Sequence, residues 1–324
     1  MNVLVLSCGV RNKIVEYLKK SLSGNGIVVA ADCSRVSPAL YDADKYYIVP
    51  RISEDGYLER ILEICEAERI AGIFSLIDPE LSLLALHEDK LRKAGVRLVG
   101  SGYAQCERCL NKWDMFLWMG KKGYDCARCF MELGDFFEAV CKDEIHYPAI
   151  IKPILGSASM QVAVAKDRRS AEYLFSQSGG LMIQAYLHGQ EIGADCYVDL
   201  LSREVVSIFT KKKIVMRAGE TDKSVSFKDP RLFALLERFL QENGFLGPVD
   251  VDLFDVGGTY YISEVNPRFG GGYPHAYECG ADHMRMIVNN LAGIANQKQI
   301  GRYDENVYMM KYSEVKLKRE DNDW

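Results

Sequence analysis

Two short segments near residue 260 place oxygen ligands at the spacing that divalent-cation chemistry needs. They are Asp250-Val-Asp252-Leu-Phe and Ile262-Ser-Glu264-Val-Asn266-Pro-Arg268, in which polar residues two apart are interleaved with apolar ones. In a strand, residues two apart share a face, so Asp250 and Asp252 project together, as do Glu264 and Asn266. Gly257-Gly258 between the segments is a hairpin signal. Antiparallel pairing then carries Asp252 towards Glu264 and Asn266. Carboxylates with an amide oxygen form a hard oxygen set suited to Mg²⁺ bridging phosphates. The bland alternative, a solvated acidic sheet face, fits poorly with the interleaved Val251, Leu253, Ile262 and Val265.

Arg268 directly follows these candidate ligands and suits a two-pronged grip on phosphate or carboxylate. Gly270-Gly271-Gly272 then lets backbone approach a ligand or offer N–H donors. Lys152, inside the apolar run Pro-Ala-Ile-Ile-Lys-Pro, is costly to bury unless it meets an anion. The small-residue loop Gly156-Ser157-Ala158-Ser159 after it could close over phosphates as a lid. No Gly-x4-Gly-Lys-Ser/Thr segment is present, so a P-loop is not expected.

Residues 1–110 must supply part of the frame. Strand-like runs at 2–7, 26–31, 46–49, 72–76 and 96–99 alternate with helical patterns at 11–22, 56–68 and 81–94, as in a parallel α/β sheet. Ligands of such sheets sit beyond the carboxyl ends of the strands, here a rim of Cys8-Gly9-Val10-Arg11, Asp32 and Asp78-Pro79-Glu80. Residues 103–121 read as one helix, followed by a β-rich stretch. Strands are expected at 148–153, 161–165 and 181–187, with a helix at 168–177 between the last two. Beyond residue 193, alternation over 194–199, 204–209, 249–254 and 260–265 predicts an antiparallel sheet, covered by helices at 232–243 and 283–291.

The chain of 324 residues is 48% hydrophobic and carries a net charge of −5, so neither a broad nucleic-acid surface nor a membrane span is expected. The N-terminus lacks the basic start of a signal peptide, and a cytoplasmic location is expected. Its ten cysteines are then free thiols rather than disulfides. Cys106-x2-Cys109 and Cys126-x2-Cys129 have zinc-like spacing, but the pairs fall on a helix and a strand without knuckle turns, which favours plain thiols. The five histidines show no paired metal spacing, and His275 is either a pocket or a structural residue.

The ordered set Asn-Lys-Trp-Asp-Met-Phe (111–116), Ile-Ile-Lys-Pro (150–153), Val-Asp-Val-Asp-Leu-Phe (249–254) and Ile-Ser-Glu-Val-Asn-Pro-Arg-Phe-Gly-Gly-Gly (262–272) resembles the ATP-grasp superfamily, near its carbamoyl-phosphate-synthase-like and pyrrolysine-biosynthesis-ligase-like members. The resemblance implies an α/β and α+β fold: a parallel α/β domain (1–110), a small lid lobe (111–187) and a large lobe with antiparallel sheet and metal site (188–324). It implies that Lys112 and Lys152 contact ATP phosphates, that Gly156, Ser157, Ala158 and Ser159 cover them, and that Gln184, Ala185, Tyr186 and Leu187 meet adenine. Gln184 stands where many relatives carry Glu. Glu191 matches the ribose-binding acid, and Asp252, Glu264 and Asn266 match the ligands of two Mg²⁺ ions, which Mn²⁺ could replace. Arg268, Lys213 and Arg217 are the implied catalytic cations, in a variable region that also holds Lys211 and Lys223.

The activity so implied is ligation of a small-molecule carboxylate to an amine through an acyl phosphate, with amino-acid-like substrates and a homodimer both compatible. Bicarbonate or formyl-phosphate chemistry and a non-catalytic ATP-binding regulator are the competing readings. A dinucleotide oxidoreductase is disfavoured because no Gly-x-Gly-x-x-Gly follows the first strand.

Overall fold

The structure is a computed structural model that describes residues 1–156 and 162–319. Ser157, Ala158 and Ser159 of the expected lid, and Gln161 at the start of an expected strand, lie outside the described residues.

The N-terminal layer is the expected parallel sheet. Its elements are β1 (Asn2–Leu6), α1 (Asn12–Leu22), β2 (Val28–Asp32), β3 (Lys45–Ile48), α2 (Tyr57–Ala67), β4 (Ile70–Ser75), α3 (Asp78–Leu86), α4 (Glu88–Lys93) and β5 (Arg97–Leu98), in the order β3-β2-β1-β4-β5. Val3, Leu4, Val5 and Leu6 are fully buried on both faces, as continuous apolar runs in parallel strands require. The single helix expected over 81–94 is instead two. It starts three residues earlier, at Asp78, and breaks at His87.

The helix expected over 103–121 is likewise two, α5 (Tyr103–Leu110) and α6 (Lys112–Lys122). Asn111 leaves helical geometry at φ −97, ψ 98, and its side chain accepts from the N–H groups of Trp113 and Asp114. An asparagine offers the backbone this local alternative, and the break frees the Lys112 N–H to bond Ile154 O at 3.0 Å.

The small lobe holds β6 (Cys129–Phe130), α7 (Leu133–Cys141), β7 (Ala149–Pro153), β8 (Ala163–Ala165), α8 (Arg168–Phe175) and β9 (Leu181–Ala185), with strand order β6-β9-β7-β8. Where a β-rich stretch was expected after α6, α7 forms. It buries Phe136 and Ala139 in a core private to this lobe, with Phe130, Ile151 and Ile183.

The large lobe holds β10 (Gln190–Val198), β11 (Val205–Arg217), β12 (Glu220–Phe227), α9 (Pro230–Asn243), β13 (Gly247–Val256), β14 (Thr259–Asn266), α10 (Tyr273–Glu278), α11 (His283–Leu291) and β15 (Tyr308–Met310). Its antiparallel sheet runs β14-β13-β10-β11-β12-β15. The strand expected to end at 209 continues to Arg217 and returns as β12, which the sequence reading did not identify. The residues after the glycine triplet form α10. Among the described residues, no helix is long and apolar enough to cross a membrane.

One core joins the first and last parts of the chain. Val5, Ile14, Tyr17 and Phe74 share it with Tyr197, Phe269, Tyr273, Met284 and Ile287. At Gly72 a Cβ would meet the Leu291 Cδ1 at 2.5 Å, so α11 packs its Leu291 side chain directly on the glycine of β4.

Two histidines sit in this core. His275 bonds Ser224 Oγ at 2.8 Å and Val307 O at 3.0 Å, which gives it a structural role. His283 bonds Ser207 Oγ at 3.0 Å. Burial first, then the Lys211 charge, lowers their pKa values to about 4 and about 3. Between those values and about 6.5 the unfolded chain binds protons that the native chain does not, so stability rises with pH. Acidification from pH 7 to pH 5 is expected to remove about 1.4 kcal/mol per pH unit for each histidine, below about pH 6.5. Urea midpoints would report this, and equal midpoints at pH 7 and pH 5 would contradict it.

Candidate functional site

A cavity of about 630 Å³ lies between the small-lobe sheet and the β13–β14 face of the large lobe, a volume typical of a ligand cleft. Apolar walls come from Ile150, Leu155, Val162, Leu187, Met216 and Phe254, with Tyr186 at the lobe junction. Its charged part is built on the β13–β14 hairpin. There Asp252 stands opposite Glu264 and Asp250 opposite Asn266. The expected convergence on one face is present, with one difference: the residue directly across from Asn266 is Asp250. The other face places Val251, Leu253, Ile262 and Val265 in the core. In β13 alternation alone sends the carboxylates into the cleft, whereas in β14 a register irregularity between the Leu253–Ile262 and Asp252–Glu264 pairs turns Glu264 and Asn266 away from the face of Ile262.

Asp250 lines the cavity as well. Burial raises its pKa, and the Asp252 and Asp195 charges raise it further, against Lys211 and Lys213. That crowding of negative charge is what a bound dication relieves. Among the described residues, no three His, Cys, Asp or Glu side chains gather closely enough to hold a metal ion by themselves. An open set of carboxylates and an amide suits Mg²⁺, which keeps waters and takes its remaining oxygens from phosphates. The donor set therefore fits the ion.

Two lysines cross from β11 to these carboxylates. Lys211 pairs with Asp195, both fully buried, and does not line the cavity. Lys213 reaches Glu191 at 2.9 Å and Asp252 at 2.7 Å. Burial works against its charge, but Asp252 and Glu191 outweigh it and raise its pKa. Gly193 on β10 makes the crossing feasible, since a Cβ there would stand 3.0 Å from the Lys211 Cε and 3.2 Å from the Lys213 Cε. Arg217 is 70% exposed, 3.8 Å from Asp222, and is not brought to the cavity. Lys223 is not brought there either.

From the small lobe, Lys152 donates to Gln184 Oε1 at 2.9 Å. Burial lowers its pKa, with Glu264 opposing. Gln184 in turn donates to Cys129 Sγ at 3.3 Å, so its side chain holds Lys152 rather than standing free for a base. Ala185, Leu187 and Glu191 line the cleft as expected, and Tyr186 rests 4.8 Å from the His188 ring. Lys112 donates to Gly156 O at the start of the loop.

The glycine triplet makes room for charge. A Cβ on Gly270 would fall 2.6 Å from Asp250 Oδ2, one on Gly271 would collide with the Glu220 carboxylate, and one on Gly272 would lie 2.7 Å from Lys211 Nζ. Arg268 donates from Nε to Asp78 Oδ2 at 2.9 Å and from Nη1 to Phe269 O at 3.0 Å. Burial opposes its charge, but Asp78 and then Asp250 leave the pKa raised. Of the N-terminal rim, Asp78 is committed to this pair, and Glu80, 3% exposed, is held by Tyr57 and Ser75. Neither is free at an entrance.

Sequence reasoning did not assign Asp250, Arg11 or Glu220 to the site. Asp250 carried a signal in its alternation with Asp252, and Arg11 in its place on the rim. Glu220 had none, because only the β11–β12 return brings it to the cleft. As for the cysteines, burial pushes Cys106 and Cys129 up to about 12, holding them as thiols.

The model of the PylC-like N-terminal domain matches residues 3–99, and that of the ATP-grasp domain matches residues 109–272. A search of curated proteins finds no match. Among solved structures, the chain is similar to the biotin carboxylase domain of Hydrogenobacter thermophilus 2-oxoglutarate carboxylase, a dimer in complex with MgADP, ADP and bicarbonate. Identity is 16% and the TM-score 0.74, over 94% of this chain and 73% of that one. It is similar to Staphylococcus aureus N5-carboxyaminoimidazole synthetase complexed with ADP, at 15% identity and TM-score 0.72, over 92% and 78%. L-amino acid ligase from Bacillus licheniformis aligns at 18% identity and TM-score 0.68, over 91% and 75%. At these identities the likeness is one of fold. With the domain match covering just over half of its length, the chain belongs to the ATP-grasp family, whose enzymes use ATP and Mg²⁺.

Proposed function

We propose that the chain is an ADP-forming ligase that joins a small carboxylate to an amine through an acyl phosphate, on amino-acid-like substrates in the cytoplasm. The observation that carries this reading is the convergence of Asp252, Glu264, Asn266 and Arg268 on one part of a nucleotide-sized cleft. We assign residues 1–110, 111–187 and 188–324 to the N-terminal, lid and large-lobe units.

In this reading adenine lies against Tyr186, Leu187, Met216 and Phe254, and Glu191 receives the ribose. Lys112 and Lys152 hold phosphate oxygens from the lid side. Asp252, Glu264 and Asn266 hold Mg²⁺, which supplies neutralisation of phosphate charge. Arg268 holds the carboxylate as it attacks the γ-phosphorus in line, and offsets charge on the transferring group. Lys213 steadies Glu191 and Asp252. ADP leaves, the amine attacks the acyl carbon, and inorganic phosphate departs with the C–N bond formed. Exclusion of water by the lid protects the anhydride in between.

The test is phosphate release from MgATP with pairs of the twenty L-amino acids, products being identified by mass, and with bicarbonate in a separate arm. Release that needs two amino acids and yields their condensation product is expected. Release with bicarbonate alone would move the assignment to bicarbonate activation, and nucleotide binding without any release would indicate a regulator.

A further inference from the structure

Beside Arg268, the cavity is lined by a second guanidinium, contributed by the N-terminal layer. Arg11 follows β1, and its side chain is 21% exposed. Its Nη2 reaches Glu220 Oε1 at 2.6 Å, and Glu220 Oε2 reaches Lys311 Nζ at 2.9 Å. The other prong, Nη1, is buried and has no hydrogen-bond partner in the structure. Burial is the main influence lowering the Arg11 pKa; the Glu220 carboxylate opposes it and the Arg268 charge adds to it.

A clamp between the domains would need only the Nη2 contact. A buried donor left unmade is costly, more so on a charged group, and a guanidinium fork matches a planar carboxylate. The neighbouring Glu220 carboxylate, itself lining the cavity, suits an ammonium group. Gly271 lets the Glu220 side chain pack directly against its backbone at the cavity wall, since a Cβ there would overlap that carboxylate. An anion grip beside an ammonium acceptor is the pattern of a zwitterion.

Resting on the ligase reading, we propose that Arg11 grips a carboxylate that the amine-bearing substrate keeps in the product, so that the acceptor is an amino acid rather than a simple amine. Phosphate and the reacting carboxylate are met by Lys112, Lys152 and Arg268, which leaves Arg11 to read the group that does not react.

The experiment compares the full chain with R11Q and R11K, using L-amino acids and their carboxamides as probes. In steady state, amidation of the acceptor is expected to raise its KM about 10- to 100-fold in the wild type. R11Q should raise the KM of the free acid by a similar factor, leave the KM of the amide and of ATP unchanged, and add nothing to amidation. R11K should fall between. Unchanged ATP KM and circular dichroism guard against misfolding. Equal use of acid and amide by the wild type would overturn the proposal, as would an R11Q defect confined to ATP. A defect that follows a second carboxylate on the donor, identified by product mass, would overturn it too.

Thermal shifts with the non-hydrolysable ATP analogue AMP-PNP, Mg²⁺ and each probe separate this claim from the ligase reading. A shift that needs the free carboxylate and is lost in R11Q, without phosphate release in any pair, retires the ligase reading and supports Arg11 as the carboxylate grip. Absence of any carboxylate-dependent shift, with or without release, overturns the proposal.

Discussion

Under the proposed ligase reading, Glu264→Gln is expected to lower kcat on the order of 10³-fold while leaving the fold intact, because it would replace a charged Mg²⁺ ligand with a neutral one of the same shape. Glu264 stands opposite Asp252 on β14 and lines the cleft without supporting the core, so circular dichroism and the unfolding midpoint should hardly change. The defect should grow at low Mg²⁺ and shrink as Mg²⁺ rises, since a weakened site fills at higher concentration. A variant that turns over within about threefold of the wild type would remove Glu264 from the metal set. Glu264→Asp, keeping charge but pulling the oxygens back by one methylene, should retain more activity than the amide.

Asp78→Ala is expected to act on stability and turnover together. Asp78 sits in the first turn of α3, and its carboxylate is 2.9 Å from Arg268 Nε, with side chains only 6% and 12% exposed. Removing one partner of such a pair leaves a buried charge uncompensated and costs about 3 kcal/mol or more. Thermal unfolding should shift down by several degrees, and kcat should fall because nothing orients the Arg268 fork. The decisive measurement is a double-mutant cycle on the unfolding midpoint with Arg268→Ala. The double variant should be little worse than either single one, whereas additive losses would mean that the two side chains do not stabilise each other.

The parallel layer and the β13–β14 hairpin were legible because one local rule governs each. Continuous apolar runs mark strands buried on both faces, and alternation marks β13 as a strand with one face in the core; the irregularity beside Ser263, which puts Ile262 and Glu264 on opposite faces of β14, was not legible. Helix breaks were not legible at Asn111 or His87, since hydrophobic spacing continues through both. The break at Asn111 is settled by a side chain capping its own backbone and by contact with Ile154, a partner more than forty residues away. The helix α7 was missed because its aromatic and β-branched residues carry strand propensity that packing overrides. In the cleft, types and spacing located Asp252, Glu264, Asn266 and Arg268, which line one cavity. They could not give the Lys213 crossing, which depends on the empty side-chain position at Gly193, nor Glu220, which depends on pairing between β11 and β12. The triplet Gly270-Gly271-Gly272 was read as a ligand-approach loop, whereas each position yields space to a particular charged neighbour.

The core shared between the first and last parts of the chain bears on how the protein can be divided. Cutting near residue 110 would give two fragments, each with half of one apolar interior facing water: Val5, Ile14 and Phe74 on one, Tyr273, Met284 and Ile287 on the other. Neither half is then a self-sufficient expression unit, and complementation on mixing should restore what each lacks. The small lobe, with its own interior around Phe136 and Ile183, is the natural piece to excise or exchange.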